Sequence, residues 1–205
     1  MSRSVQCKFI TFEGIDGSGK STVAEVVVKE LRRRGLDVVL TIEPTKTWLG
    51  DAVKRSYSED VSPYSEAFLF LADRATHTNS IKKWIEDGKL VVSDRYCDST
   101  YAYQAARLDD IQSNSLEWLE ELSKSIIIEP NLTILLDVKP EVGLERIKPR
   151  AKKVHFENVE FLKKVRENYL KLSKKKRFTI IDASKSFEEV VKDTLSVISS
   201  KLSVS

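Results

Sequence analysis

The amino-acid sequence predicts an α/β protein, a three-layer sandwich around a five-stranded parallel sheet. Three observations carry that prediction. Five short apolar runs rich in β-branched residues lie at 8–12, 38–42, 90–93, 132–137 and 178–181. Each is nearly continuous rather than alternating, which marks a strand covered on both faces. Longer stretches with helical spacing separate them, and right-handed crossovers between parallel strands then place helices on both sides of the sheet.

The helices follow in order. The stretch 21–34 closes on Arg32-Arg33-Arg34 and Gly35, a cationic last turn before the glycine that a C′ position favours. The stretch 65–87 runs to Gly88, and 141–147 opens after Pro140. The stretches 160–176 and 187–202 carry amphipathic spacing. No repeat or low-complexity linker interrupts residues 1–205, so one domain is expected. The densest charge, Arg146-Ile147-Lys148-Pro149-Arg150-Ala151-Lys152-Lys153, falls between two helical stretches and is broken by a proline. A short lid is therefore expected at about 146–157. A second basic knot, Lys174-Lys175-Lys176-Arg177, reads as a solvated helix end.

Composition excludes several classes. A chain of 205 residues with 41% hydrophobic and 32% charged side chains can bury a real core and is not of disordered type. Thirty-four basic against 31 acidic residues leave a net charge of +3, too even to advertise a nucleic-acid surface. The two cysteines, Cys7 and Cys97, form neither a CxxC pair nor a disulfide framework, which suits reduced thiols in a cytoplasmic protein. No signal peptide is expected at the start. No uncharged apolar stretch approaches the ~20 residues of a membrane span, so no membrane is expected either.

The strongest motif is Gly14-Ile15-Asp16-Gly17-Ser18-Gly19-Lys20-Ser21, followed by Thr22. It has the G-x-x-x-x-G-K-S spacing of a P-loop and stands between a predicted strand and a predicted helix. Glycines let the backbone curl so that successive N–H groups point at phosphate oxygens, and the helix N-terminus adds its partial positive charge. Lys20 would reach the β- and γ-phosphates of ATP, and the Ser21 hydroxyl would ligate Mg²⁺. Asp16 puts a carboxylate inside an anion cradle, where it is unfavourable unless it faces a metal, a cation or a substrate hydroxyl. As a plain turn-former it would need no such partner. A second constellation is Leu90-Val91-Val92-Ser93-Asp94-Arg95-Tyr96, an apolar strand delivering Asp94 at its carboxyl edge, as a metal-binding carboxylate requires. Arg95 beside it can fork onto phosphate oxygens, or simply pair with an aspartate. Asp137 also ends a strand, but Val138-Lys139-Pro140 follows it and looks like plain entry to a helix. No Asn-Lys-x-Asp guanine-reading motif occurs, and the chain is too short for a motor with separate sensor elements. A small kinase or a non-catalytic ATP-dependent switch remain.

At this point the residues resemble a known family. Phe12-Glu13-Gly14 through Lys20-Ser21-Thr22 is similar to the opening of thymidylate kinases. Glu43-Pro44, Phe70-Leu71-Ala72-Asp73-Arg74, Asp94-Arg95-Tyr96 with Ser99-Thr100-Tyr101-Ala102-Tyr103-Gln104, and the late segments Leu135–Val138 and Ile181–Ser184 agree in order and spacing. The resemblance implies transfer of the γ-phosphate of Mg-ATP to dTMP, giving dTDP, by a homodimer. It implies that Glu43, Pro44, Phe70, Arg74, Arg95, Ser99, Thr100, Tyr103 and Gln104 form the dTMP site. Phe70 would stack on thymine and Arg74 would donate to O4. Ser99, Thr100 and Gln104 would satisfy the remaining polar edges of base and phosphate. Tyr103 would crowd the ribose 2′ position, Asp16 would approach the 3′-hydroxyl, and Ala183 would lie in the loop beside adenine. Without the resemblance, Phe70 and Tyr103 read as core. The chain also departs from the family. Ile42 and Thr45, not arginine, flank Glu43-Pro44, so a basic contact to the dTMP phosphate is either absent or supplied by Lys46, and His155-Phe156-Glu157 stands where many members read Arg-x-Glu. Gly17 occupies a P-loop position that carries arginine in some members, so the catalytic cation is expected from the lid, Arg150 first and Arg146 second, with Lys152 or Lys153 in support. Another small P-loop kinase, acting on a hydroxyl acceptor, is the competing reading.

Overall fold

The computed structural model describes residues 7–147 and 158–203. Five strands form one sheet: β1 (Phe9–Glu13), β2 (Val38–Ile42), β3 (Leu90–Asp94), β4 (Leu132–Asp137) and β5 (Phe178–Asp182). Their order is β2-β3-β1-β4-β5 and every pairing is parallel. β1 and β3 are buried along their whole length, as their unbroken apolar pattern requires.

The helices are α1 (Lys20–Arg33), α2 (Trp48–Ser56), α3 (Pro63–Glu86), α4 (Cys97–Leu108), α5 (Ser115–Ser123), α6 (Pro140–Ile147), α7 (Val159–Leu172) and α8 (Phe187–Ser203). α1 and α8 pack together against one face of the sheet, while α3, α4 and α7 form the layer on the other. α3 starts two residues before the expected boundary because Ser62 caps it, accepting from the Ser65 N–H, and Pro63 takes the first helical position. α7 ends earlier than its spacing suggests, closing at Leu172 before the lysine knot.

Three helices have no counterpart in the sequence reading: α2, α4 and α5. α4 shows why. All of its residues except Arg107 are buried, including Asp98, Ser99, Thr100 and Gln104. A helix buried all round, with polar groups on an inward face, has no solvent side and so no amphipathic period to read. Those polar groups need partners inside the protein or in a ligand.

Candidate active site

The site lies at the carboxyl ends of the strands, where open parallel sheets bind ligands. The loop from β1 to α1 is shaped by close backbone approach. A side chain on Gly17, whose φ is +80°, would put its Cβ 2.0 Å from the carbonyl oxygen of Gly143 in α6. On Gly14 it would lie 2.5 Å from the Leu136 carbonyl of β4. The cradle is thus wedged between β4 and α6, and Gly17 has no room for an arginine. Among the described residues no side chain caps α1, whose N-cap is the left-handed Gly19, so its first N–H groups are open to a ligand. Lys20 donates to the Ile15 carbonyl at 3.0 Å and is buried. Burial, and then the charge of Arg95, push its ammonium down to about 8. The buried Ser18 hydroxyl has no partner within the described residues.

Ser21 donates to Oδ2 of Asp94 at 2.5 Å. Oδ1 of Asp94 is buried and has no partner among the described residues, a carboxylate oxygen that asks for a cation or a water. Asp137, by contrast, is held by Arg166 of α7 through two hydrogen bonds of 2.7 Å. Ser21 and Asp94 share a cavity of about 470 Å³ with Thr45, Lys46 and Thr47, which brings Lys46 to the mouth of the same space.

Arg95 holds a left-handed backbone, φ 68°, uncommon for a side chain of its size. Two clamps maintain it. Its own N–H donates to the Phe12 carbonyl at 2.9 Å, and the next N–H, of Tyr96, donates to Oε1 of Glu13 at 2.8 Å. The guanidinium pairs with Asp16, donates to Ser99 Oγ at 3.0 Å and lies 5.1 Å from the centre of the Tyr103 ring. The Tyr103 hydroxyl donates to Asp16 at 3.0 Å and accepts the Asp16 N–H at 2.9 Å. Burial raises the Asp16 carboxyl, but the charges of Arg95 and Lys20 outweigh it and hold the group below the usual carboxylate range.

Glu13, which sequence reading passed over, anchors this corner. It is fully buried and accepts from Ser99 at 2.6 Å and from the Tyr169 hydroxyl at 3.0 Å, besides Tyr96. Burial, and then the negative charge of Asp98, push its carboxyl up to about 7. Ser99 is therefore already committed to Glu13 and Arg95. The available signal was a carboxylate closing an otherwise apolar strand.

The second half of the site is a cluster of buried side chains on the packed helices α3 and α4. Glu66, Phe70 and Arg74 recur every four residues on α3 and so share one face, and Thr100 and Gln104 do the same on α4. Arg74 is 1% exposed. Its Nε and Nη2 donate to Oε2 of Glu43 at 3.0 and 2.6 Å, and Nη2 also reaches the Tyr96 carbonyl and the Thr100 hydroxyl. Glu43 accepts at its other oxygen from His77 at 2.8 Å. Burial raises the Glu43 carboxyl, yet Arg74 and His77 together hold it below its usual range. Both oxygens of Glu43 are thus spent behind Arg74, and Asp73 ties down the following Thr45 through bonds of 2.8 and 2.5 Å. Phe70 is half-buried, its ring 6.3 Å from that of Tyr57. Two buried atoms of this cluster have no partner among the described residues: Nη1 of Arg74, a donor, and Oε1 of Gln104, an acceptor.

On the far side of the cradle Ala183 is buried, and its carbonyl accepts from Arg146 at 3.0 Å. The same guanidinium lies 3.5 Å from the Gly17 carbonyl, so Arg146 bridges the loop after β5 to the cradle. Arg150, Lys152, Lys153 and His155-Phe156-Glu157 lie outside the described residues.

A phosphate cradle alone serves any nucleotide hydrolase. Beside it a second cluster of buried polar side chains on α3 and α4 adds what an enzyme needs when the phosphoryl acceptor is itself a nucleotide, and the class defined by this fold and site is the P-loop nucleoside monophosphate kinases. Comparisons with known proteins narrow it. The thymidylate kinase family profile matches residues 12–194. A probable thymidylate kinase of Methanosarcina barkeri is 46% identical over 195 residues, covering 93% of this chain and 95% of that protein. One from Methanococcoides burtonii is 42% identical over 196 residues, covering 94% and 96%, and one from Thermococcus onnurineus is 40% identical over 207 residues, covering 95% and 98%. The chain belongs to the thymidylate kinase family: it is an ATP-dependent kinase that phosphorylates dTMP to dTDP. Enzymes of this kind use ATP together with a divalent metal. Among the described residues no helix is long and apolar enough to cross a membrane.

Proposed function

We propose that the cluster on α3 and α4 reads the thymine of dTMP, and that the two unpartnered atoms are its reading heads. Thymine presents an acceptor at O4 and a donor at N3. Nη1 of Arg74 and Oε1 of Gln104 are a donor and an acceptor. Cytosine reverses both groups and would leave each facing its own kind, a mismatch that buried sites penalise strongly. Phe70 supplies the stacking face, while Glu43 and Thr100 hold Arg74 in place. That complementarity is the observation that carries the reading.

The phosphoryl step then has a defined cast. An oxygen of the dTMP phosphate attacks the γ-phosphorus of ATP while the bond to the β–γ bridging oxygen breaks, and ADP leaves. Gly14, Ile15, Gly17, Ser18, Gly19 and Thr22 supply the cradle, and Lys20 the charge on the transferred group. Arg95 meets the acceptor phosphate; as it does, Asp16 exchanges part of its pairing with Arg95 for the substrate's 3′-hydroxyl, with Tyr103 filling the 2′ position. Mg²⁺ fits the Ser21 hydroxyl and the open Oδ1 of Asp94, a set with few protein ligands of the kind Mg²⁺ takes alongside phosphates. Bound there with ATP, it would neutralise phosphate charge. Lys46 takes the place of the arginine missing beside Glu43-Pro44. Arg146, bonded to the Ala183 carbonyl, braces the adenine side, which leaves Arg150 as the first candidate for the lid cation. Cytoplasmic nucleotides are its substrates. A homodimer through α3 explains why that helix turns Phe68, which is 51% exposed, Ala72 and Thr76 outward in one row; a solution mass near twice 23.4 kDa would show it.

The test is ADP release with dTMP, dUMP, dCMP, AMP and thymidine as acceptors. We expect turnover with dTMP and dUMP and at least a hundred-fold lower efficiency with dCMP. Equal use of dCMP would overturn the base reading, and preference for thymidine would favour a nucleoside kinase.

A further inference from the structure

An amide can present either its oxygen or its NH₂ group, and Gln104 would match thymine in one orientation and cytosine in the other. Gln104 is 1% exposed, so water does not settle the choice. Its neighbour does. Glu66 is fully buried on α3, and its Oε1 accepts from Nε2 of Gln104 at 3.1 Å. Its other oxygen, Oε2, pairs with Arg107 at 3.3 Å. A carboxylate paired with a guanidinium has no proton to give, so it can face only the NH₂ end of the amide. The oxygen of Gln104 is thereby turned away from Glu66, buried and without a partner among the described residues.

We propose that Glu66 is a specificity-determining positioning residue: by holding the NH₂ end of Gln104, it makes the site accept a base with a donor at N3 and refuse one with an acceptor there. The inference rests on the base reading given above. The spacing on α3 supports it. Arg74 sets the O4 contact at one end, Phe70 forms the floor one turn before it, and Glu66 sets the amide one turn earlier still. Arg107 matters because it decides what a neutral substitute would do. In Glu66→Gln the guanidinium claims the oxygen of the new amide. That turns the new NH₂ group onto Gln104, which must then accept through its own Oε1. Gln104 is inverted, and its NH₂ end faces the base.

The experiment compares the wild-type enzyme with Glu66→Gln, Gln104→Ala and the double variant, reading KM and kcat for dTMP, dUMP and dCMP, KM for ATP, and Tm. Expected for Glu66→Gln is a rise of about ten- to a hundred-fold in KM for dTMP and dUMP alike, the effect of one mispaired polar contact. The dTMP preference over dCMP should shrink by at least about tenfold, with KM for ATP and kcat little changed. In the Gln104→Ala background the Glu66 substitution should add almost nothing, because it acts only through Gln104. Additive losses, or unchanged base preference in Glu66→Gln, would overturn the proposal. Should Glu66→Gln not fold, Glu66→Asp keeps the charge opposite Arg107 while withdrawing the carboxylate from Gln104. It must then show the same rise in KM for dTMP and dUMP, and an unchanged KM would count against Glu66. A wild-type enzyme indifferent between dTMP and dCMP would instead break the base reading itself, an outcome distinct from either.

Discussion

In the proposed reading, the two halves of the active site recognise their ligands by opposite means. The donor half is made of backbone: a glycine-bearing turn pressed against the Gly143 and Leu136 carbonyls, an uncapped helix start, and Lys20 resting on the Ile15 carbonyl. The acceptor half is made of buried side chains in closed networks. Glu43 holds Arg74 and His77, Glu66 holds Gln104 and Arg107, and Glu13 holds Tyr96, Ser99 and Tyr169. Phosphates look alike in every nucleotide, so backbone N–H groups and one cation suffice for them. A base differs from its competitors by single donors and acceptors, and only oriented, desolvated side chains can reject the wrong one.

That contrast can be broken at its strongest point first. Lys20→Ala removes the side-chain cation of the cradle and should lower kcat by a hundred- to a thousand-fold, about 3–4 kcal/mol of transition-state stabilisation, with KM for dTMP nearly unchanged. Retention of more than about a tenth of turnover would mean the cradle works without its cation.

The networks of the acceptor half should show in the pH dependence of stability. The Glu13 carboxyl, near 4.5 when unfolded, is raised to about 7 in the fold by burial and by Asp98, so the folded state holds this proton more tightly. Its contribution is therefore full below about pH 4.5 and is lost as pH rises through about 7, by no more than about 3 kcal/mol. Asp16 and Glu43, held low, act in the opposite sense and lose their contribution only as pH falls through their lowered values. Glu13→Gln should flatten the decline in Tm between about pH 4.5 and 7. Parallel profiles for the two proteins would show that Glu13 does not titrate there.

The smallest effect should fall on one substrate only. Phe70→Ala removes the stacking face and should raise KM for dTMP about five- to a hundred-fold, or 1–3 kcal/mol, while KM for ATP stays constant. Equal damage to both substrates, with a lower Tm, would make Phe70 a core residue and blur the division between the halves.

The same division separates what is legible in the sequence from what is not. Gly14 to Ser21 sit in one run between a strand and a helix, so cradle, cation and metal-side hydroxyl can be read together. Asp94 is legible because an apolar strand points at it. The acceptor half shows its members but not their duties. Resemblance assigns Glu43 to the substrate, whereas both its oxygens are occupied by Arg74 and His77. It assigns Ser99 to base or phosphate, whereas that hydroxyl already bridges Glu13 and Arg95. Glu66 carries no local signal that sets it apart from surface carboxylates, and Glu13 only that it closes an apolar strand.

The sequence by itself determined the five strands, the parallel arrangement they imply, the phosphate cradle and the chemistry of ATP use. Each is encoded in neighbouring residues, through apolar periodicity or fixed spacing. Tertiary structure alone decided that α4 is a helix, because a helix buried on every side shows no period. It decided that Gly17 excludes a side chain, because the obstacle is Gly143, a residue of α6 on the far side of the chain. It also decided which polar atoms remain unpaired among the described residues. That depends on partners 31 and 38 residues apart, Glu43 with Arg74 and Glu66 with Gln104, and a pairing across that distance exists only once the helices have packed.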